Sequence, residues 1–382
     1  MSGIKLKFSL LTILILTFVI DSRSQVDQND LSGQQNVIPT AVPFIGISPD
    51  SRTGGMGEAG VATAPDFNSQ AWNPAKYAFL DADLGVSASF TPWLRQLVND
   101  INMYYLAGFY RLDDMQTVSA SLRYFSLGAI TFRKDEFDEG YQVKPNEFAL
   151  DAAYARKLSD KFSGSVAFRY IHSDLSGGMV DDMSAGNSFA ADVSFYYTSE
   201  LKMRQPSNLS AGINISNIGS KISYDDGEHK QFIPTNLKLG TAFTTELDKY
   251  NSLTFALDLN KLLVPTPQPI DSTQYYSEAY GDESTISGIF KSFGDAPGGF
   301  KEELHEIMIS AGIEYWYDKQ FAIRAGYFHE HETKGNRKYM TAGVGLKFNV
   351  FTIDASYIIP VVANNPLANT IRFSLSYNFS DM

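Results

Sequence analysis

The strongest constraint on this chain is a repeated alternation of apolar residues with small or polar ones. From Ile371 to Phe379 every second residue is Ile, Phe, Leu or Tyr, and the residues between them are Arg, Ser and Asn. The same period of two recurs over 162–170, 209–216, 253–260 and 342–348. Successive side chains of a β-strand point to opposite faces, so this period indicates strands with one apolar and one polar face. The sequence predicts an all-β protein.

About fourteen segments fit this pattern, and their number and length suit a transmembrane barrel. A tilted membrane strand needs about ten residues, and bacterial outer-membrane barrels have an even number of strands. Short polar turns alternate with longer loops, as the periplasmic and external ends of such barrels do. We therefore predict an antiparallel transmembrane β-barrel of about 14 strands over residues 85–382, in the cell outer membrane. The predicted strands are 85–93, 101–111, 115–126, 146–157, 161–173, 187–199, 208–217, 234–246, 251–262, 304–317, 320–331, 337–348, 350–360 and 369–380.

A soluble β-sandwich or propeller is the alternative fold, because its strands also have one apolar face. A sandwich buries that face in a core, whereas a membrane barrel turns it to lipid and keeps the lumen polar. The faces opposite the apolar ones carry charges of both signs here, which favours the barrel. These charged residues are Arg123, Asp151, Arg169, Asp192, Lys238, Asp258, Glu314, Arg324, Lys347, Asp354 and Arg372.

The N-terminus has the composition of a secretory signal peptide. A basic start precedes the apolar run Phe8–Ile20, and small residues follow at Ser22 and Ser24. The apolar run is shorter than the roughly 20 residues that a membrane-spanning helix needs, although an N-terminal anchor is an alternative. We predict a signal peptide over residues 1–24 and a flexible periplasmic arm over 25–40.

Residues 41–84 precede the first strand and are predicted to form a plug segment inside the barrel. Gly55, Gly57 and Gly60 would let backbones approach closely, and Asn73-Pro74 is typical of a turn. The three glycines also match the spacing of a dinucleotide-binding loop. That motif requires a preceding strand and a βαβ unit, so the packing role is favoured.

The run Arg52–Gly60, followed by Trp72–Ala75, resembles the N-terminal part of the FadL-like outer-membrane barrels. In that family a small plug and an Asn-Pro-Ala turn precede fourteen strands. The similarity is greater to one branch, the PorV proteins of the type IX secretion system of Bacteroidetes, and it covers about residues 40–382. The chain departs from the usual outer-membrane barrel in one respect, because three residues follow the terminal aromatic Phe379.

This resemblance implies a non-enzymatic barrel that works through its partners. Proteins of the PorV branch dock on the very large translocon barrel SprA. They bind exported proteins by a C-terminal signal domain and pass them to the sortase-like PorU for attachment at the cell surface. The resemblance therefore implies SprA, PorU, exported proteins with that domain and membrane lipids as partners.

Two predicted outer loops carry apolar residues that could contact a partner. The longer, 263–303, contains apolar and aromatic residues near its end, and the last loop, 361–368, is similarly apolar. Exposed apolar residues on a loop usually mark a contact surface, although they could also fold back over the lumen as a lid. The candidate residues for binding a partner or cargo are Ile286, Ile289, Phe290, Phe293, Phe300, Val361, Val362 and Leu367.

The sequence indicates no catalytic residues, metal or cofactor. It contains no cysteine and no Gly-x-Ser-x-Gly motif, which removes thiolate chemistry and the usual hydrolase signature. His329 and His331 share a strand face but have no third ligand at a defined spacing, and the acid pairs 181–182 and 225–226 fit no known calcium loop. The formal charge is −12, and −14 without residues 1–24, which argues against nucleic-acid binding.

Three other functions compete with the secretion role. A FadL-type transporter of hydrophobic small molecules would need a continuous apolar pathway, but the predicted lumen carries many charges. A lipid-modifying hydrolase would need a clustered nucleophile and base, and the sequence indicates neither. An open porin is least favoured, because the glycine-rich plug segment would obstruct the pore.

Overall fold

A computed structural model describes residues 36–133, 137, 139–178, 183–269, 275–276, 283–361 and 366–380. Fourteen antiparallel strands form a closed barrel, in which each pairs with the next along the chain and the last pairs with the first. This confirms the predicted fold. The barrel strands are β1 (Leu84–Pro92), β2 (Asn102–Asp113), β3 (Gln116–Ser126), β6 (Asn146–Ser159), β7 (Phe162–Asp174), β8 (Gly186–Leu201), β9 (Ser207–Gly219), β10 (Asn236–Glu246), β11 (Asn251–Leu262), β14 (Met308–Tyr317), β15 (Phe321–His329), β16 (Lys338–Phe348), β17 (Phe351–Pro360) and β18 (Ile371–Asn378).

The remaining elements lie in the connections and in the plug segment. Two short hairpins, β4 (Ile130–Phe132) with β5 (Tyr141–Val143) and β12 (Gln268–Pro269) with β13 (Tyr275–Tyr276), occupy loops. The α-helices are α1 (Ser51–Gly54), α2 (Thr285–Lys291) and α3 (Phe300–His305), and 3₁₀ turns cover Pro43–Gly46, Ser69–Ala71 and Pro74–Phe79. In the described part of the chain, no helix is both long and apolar enough to cross a bilayer.

The alternation seen in the sequence is also the alternation of burial. Along β7, for example, Val166 and Phe168 are exposed on the outer face, whereas Ala167 and Arg169 are buried on the lumen side. β14 begins four residues later than predicted, at Met308, because helix α3 occupies the end of the preceding loop.

The start of the described chain lies at the end of the barrel that carries the long loops. The backbone N–H of Asn36 donates to the carbonyl of Thr333 at 3.0 Å, and that of Ala41 donates to Phe232 at 2.9 Å. Both acceptors belong to long loops. The sequence predicts a periplasmic arm over 25–40. Residues 36–40 of that segment instead contact the end opposite the short turns, and 25–35 lie outside the described residues.

Because the chain has no cysteine, single cysteines can report which end faces the cell exterior. Val37 is 49% exposed at the long-loop end, and Met115 is 46% exposed in the short turn between β2 and β3. We expect a membrane-impermeant maleimide to label Val37→Cys in intact cells, and Met115→Cys only after the outer membrane is permeabilised. Labelling of Val37→Cys only after permeabilisation would contradict this orientation.

Candidate functional site

The plug segment crosses the lumen where glycines let its backbone touch the barrel wall. A Cβ atom on Gly326 of β15 would lie 2.0 Å from the backbone nitrogen of Gly57, and one on Gly312 of β14 would lie 2.5 Å from the carbonyl oxygen of Met56. Gly57 itself has φ of +65°, which L side chains rarely adopt. A Cβ atom on Gly55 would lie 3.1 Å from the Cα atom of Gly343 in β16, whereas one on Gly60 would meet Thr53 and Trp72 of the plug segment itself.

Asn73 and Pro74 fasten the plug segment to another part of the wall. The side-chain oxygen of Asn73 accepts from the backbone N–H of Ala75 at 3.1 Å, which closes the turn that Pro74 begins. Its side-chain NH₂ donates to the carbonyls of Val61 at 3.1 Å and of Phe195 in β8 at 2.9 Å. This buried amide therefore joins two parts of the plug segment to one strand.

A row of alternating charges ties α1 to the wall on the side of the short turns. Arg52 contacts Asp66 at 2.7 Å within the plug segment and Glu314 of β14 at 2.8 Å. Glu314 also accepts from Arg324 of β15 at 2.7 Å, and Arg324 in turn donates to Asp354 of β17 at 2.7 Å. The side chains of Glu314 and Arg324 have almost no exposed surface, so each depends on these partners for its charge.

Two further contacts hold the middle of the plug segment. The carboxylate of Glu58 accepts from Arg372 of β18 at 3.1 Å and from the hydroxyl of Tyr339 at 2.9 Å. Asp258 of β11 accepts two consecutive backbone N–H groups of the plug segment, 2.7 and 2.9 Å away. The plug segment is thus bound to strands on several sides of the lumen.

A second ion network crosses the wall on the long-loop side of the plug segment. Arg169 of β7 contacts Asp151 of β6 at 2.5 Å and Asp192 of β8 at 3.0 Å. Asp192 also accepts the backbone N–H of Asn217 at 2.7 Å. Such charges are spread across the wall, so the lumen does not offer a continuous apolar path.

A cavity of about 540 Å³ lies between the plug segment and the long loops. Its wall includes the aromatic residues Phe44, Trp72, Trp93 and Phe125. Charged side chains of both signs share this wall with them. The cavity therefore offers a ligand both aromatic surface and charged side chains.

The loop between β11 and β14, residues 263–307, is the longest connection between two barrel strands and carries helices α2 and α3. Ser284 caps α2 by accepting from the backbone N–H of Ser287 at 3.2 Å. Gly288 packs where a Cβ would lie 3.0 Å from the ring of Phe232, so this face of the helix is fixed to the neighbouring loop.

Four of the five apolar residues proposed on this loop from the sequence are exposed. Their exposed fractions are 57% for Ile286, 75% for Phe290, 53% for Phe293 and 78% for Phe300, whereas Ile289 is half-buried. The structure therefore places these side chains on one loop that carries an uncovered aromatic surface. We name Ile286, Phe290, Phe293 and Phe300 the loop surface.

The base of loop 263–307 is held by charges and by a histidine stack. Glu306 accepts from Lys261 at 2.5 Å and from Lys334 at 3.0 Å. The rings of His305 on α3 and His331 on the loop after β15 are stacked, with centroids 3.5 Å apart. Partial burial, together with nearby cations, lowers the pKa of both histidines, which favours their neutral forms and hence the stack.

One of the two described apolar candidates in the last loop is buried. Val361 is exposed, but Leu367 is only 8% exposed and packs with Met308, Phe328 and Ile358. Leu367 therefore presents no apolar surface to a partner. Val362 lies outside the described residues.

Among the described residues, one group could offer three ligand atoms to a cation. Ligand atoms of Asp225, Glu228 and His229 lie within 4.8 Å of one another in an exposed loop. Hydrogen bonds from Ser223 and then from His229 lower the pKa of Asp225. These contacts stabilise its ionised carboxylate without a bound cation. The acid pair 181–182 lies outside the described residues.

The sequence profile described as "Type IX secretion system protein PorV" matches residues 30–269, well over half of the chain. The chain belongs to the PorV family. No curated protein sequence matches it at a significant level. Its place in the PorV family and its closed fourteen-stranded barrel identify it as an outer-membrane protein.

Solved structures show that the fold of this PorV-family chain is shared with FadL-like barrels. The toluene transporter TodX of Pseudomonas putida has a TM-score of 0.52 at 12% identity, over 88% of this chain and 99% of TodX. The toluene transporter TbuX of Ralstonia pickettii has a TM-score of 0.47 at 11% identity, over 88% and 98%. A FadL homologue of Pseudomonas aeruginosa has a TM-score of 0.42 at 12% identity, over 90% and 100%. At such identities the likeness concerns the fold alone.

Proposed function

We propose that this barrel is the type IX secretion component that docks on the translocon SprA, binds exported proteins by their C-terminal signal domain and hands them to PorU. Membership of the PorV family supports a role in type IX secretion. The loop surface is the observation that supports docking. In this proposal the protein works by recognition and hand-over, without bond chemistry.

The exposed aromatic residues of the loop surface favour a partner over a lid. A lid over the lumen would bury its apolar side chains against the barrel mouth. Here Gly288 and Ser292 of the loop are buried, while Phe290 on α2 and Phe293 just after it are exposed. Aromatic residues at the centre of an interface commonly supply much of its binding energy.

A transporter of hydrophobic small molecules is the second candidate. The aromatic residues of the cavity favour it, since they could contact an apolar solute. The ion networks on both sides of the plug segment count against it. A solute crossing the lumen would have to separate buried pairs such as Arg324 with Glu314, and separating buried charges is costly.

The proposed function is tested by mild-detergent pull-down from outer membranes, comparing wild type with the double substitution Phe290→Ser and Phe293→Ser. We expect the wild type to bring down SprA and exported proteins that share one C-terminal domain. The double variant should lose at least about ten-fold of that material, because one hot-spot aromatic contributes ~2 kcal/mol or more.

The matched control is Phe137→Ser, which changes a phenylalanine on the loop between β3 and β6 that is more exposed than either test residue. It should leave the captured proteins unchanged. If the wild-type barrel is purified alone, or if the double variant captures as much as wild type, docking through the loop surface is wrong. Bound fatty acid in place of proteins would support the transporter.

A further inference from the structure

The cavity between the plug segment and the long loops has an unbalanced charge. Four carboxylates line it, and each is already paired: Glu58 with Arg372, Asp192 with Arg169, Glu306 with Lys261 and Lys334, and Glu330 with Arg337. Arg123 and Lys238 also line it, yet neither has a carboxylate within 4.0 Å among the described residues. The wall therefore carries two cations that no carboxylate contacts directly, although Glu58 and Asp258 act on Lys238, and Asp151 and Asp192 on Arg123, from farther away.

Both cations are held in place by neutral groups. The guanidinium of Arg123 donates to the carbonyl oxygens of Phe44 and Ile45 in the plug segment, and it lies 5.6 Å from the ring centroid of Tyr105. The ammonium of Lys238 lies 4.5 Å from the ring centroid of Trp72. Cation–π contacts and carbonyls orient a cation without neutralising it, so both remain available to an anion.

The other features of the wall define what kind of anion fits. Aromatic side chains stand beside Lys238, so an apolar group next to the anionic one would also be accommodated. Paired charges and the amides of Asn236 and Asn260 interrupt the apolar surface, which does not suit a long hydrocarbon chain. Carboxylates with a short apolar neighbour are therefore favoured, and the end of a polypeptide has that chemistry.

We propose that this cavity takes the C-terminal end of an exported protein, with its α-carboxylate bound by Arg123 and Lys238 and its last side chain against Trp72. The inference rests on the proposed function, because it places the end of the cargo's C-terminal domain in the cavity. The mouth of the cavity is among the long loops: Val37, Leu94 and Gly335 line it. One exported domain could then contact the loops with its body and the cavity with its terminus.

The test measures binding of one exported C-terminal domain to the purified full-length barrel by calorimetry. The domain is prepared with a free C-terminal carboxylate and as the C-terminal amide. We expect the amide to bind about ten-fold more weakly, the scale of a charge-assisted hydrogen bond. Quenching of tryptophan fluorescence should reach half its maximum at about ten-fold lower concentration of the carboxylate form, since Trp72 and Trp93 line the cavity.

Lys238→Gln tests the site itself, and Lys347→Gln, at the short-turn end of β16, is the matched control. Lys238→Gln should remove the difference between carboxylate and amide, while Lys347→Gln should keep it. Equal binding of the two forms to wild type would overturn the cavity proposal and leave the proposed function standing. Binding of neither form would overturn both. A change in tryptophan fluorescence on adding oleate, together with equal binding of the carboxylate and amide forms, would overturn the proposal and indicate a fatty-acid site.

Discussion

Gly326→Ala is expected to prevent the plug segment from seating in the barrel. The new methyl carbon would lie 2.0 Å from the nitrogen of Gly57 and 2.2 Å from the carbonyl carbon of Met56. Both are backbone atoms held by several hydrogen bonds, so neither can move as a flexible side chain would. Overpacking costs ~1–3 kcal/mol even where side chains can adjust, and we expect a cost at or above that range here.

Channel conductance and thermal stability both report whether the plug segment is in place. In planar bilayers, wild type should stay closed and Gly326→Ala should show open-channel events, because the displaced segment no longer fills the lumen. The variant should also lose its heat-modifiable folded band at a lower temperature. Gly46→Ala is the matched control, since no atom lies within 4 Å of its added methyl group. Identical conductance and melting of Gly326→Ala and wild type would contradict the close approach.

Glu314→Ala is expected to destabilise the folded barrel by ~3–5 kcal/mol, the cost of breaking a buried ion pair by removing one of its members. Glu314 is the shared acceptor of Arg52 in the plug segment and Arg324 in the wall. Removing it takes away the carboxylate between the two guanidinium groups, so that Arg52 keeps only Asp66 and Arg324 keeps only Asp354. The free energy of unfolding in urea, measured in detergent micelles, tests this value.

The double substitution Arg52→Met with Glu314→Met tests whether the loss of stability comes from leaving one member of the ion pair behind. It removes one cation together with the anion, so it should be less destabilising than Glu314→Ala alone. Glu246→Ala, at an exposed glutamate by a short turn, should change stability by no more than about 0.5 kcal/mol. A Glu314→Ala effect as small as that of Glu246→Ala would show that the row of charges is not a structural support.

The strands could be predicted from the sequence because lipid and lumen select opposite residue types at every second position. That selection acts on neighbours in sequence, so β7 and β18 can be recognised without knowing their partners. The first residue of β14 was harder to predict, because helix α3 comes just before it and no change of alternation marks where the helix ends. The glycine run of the plug segment was also predictable, because close backbone approach needs residues without a side chain.

The cavity residues could not be found in this way. Arg123 and Lys238 belong to strands far apart in the chain, and their lack of carboxylate partners depends on which side chains the closed barrel brings together. The sequence did place both among the lumen charges, but it could not distinguish paired from unpaired ones. Burial of Leu367 depends similarly on Met308 and Ile358 of other strands.

The contacts of the plug segment with β18 also bear on the order of barrel assembly. The backbone N–H of Ser51 donates to the hydroxyl of Ser374 at 2.9 Å, and Glu58 pairs with Arg372. These partners are more than three hundred residues apart, and β18 is the strand that closes the barrel against β1. The plug segment precedes every strand in the chain but can complete its contacts only when the final strand is in place. Closure of the wall and sealing of the lumen are thus the same late step, so an unfinished barrel would remain an open one.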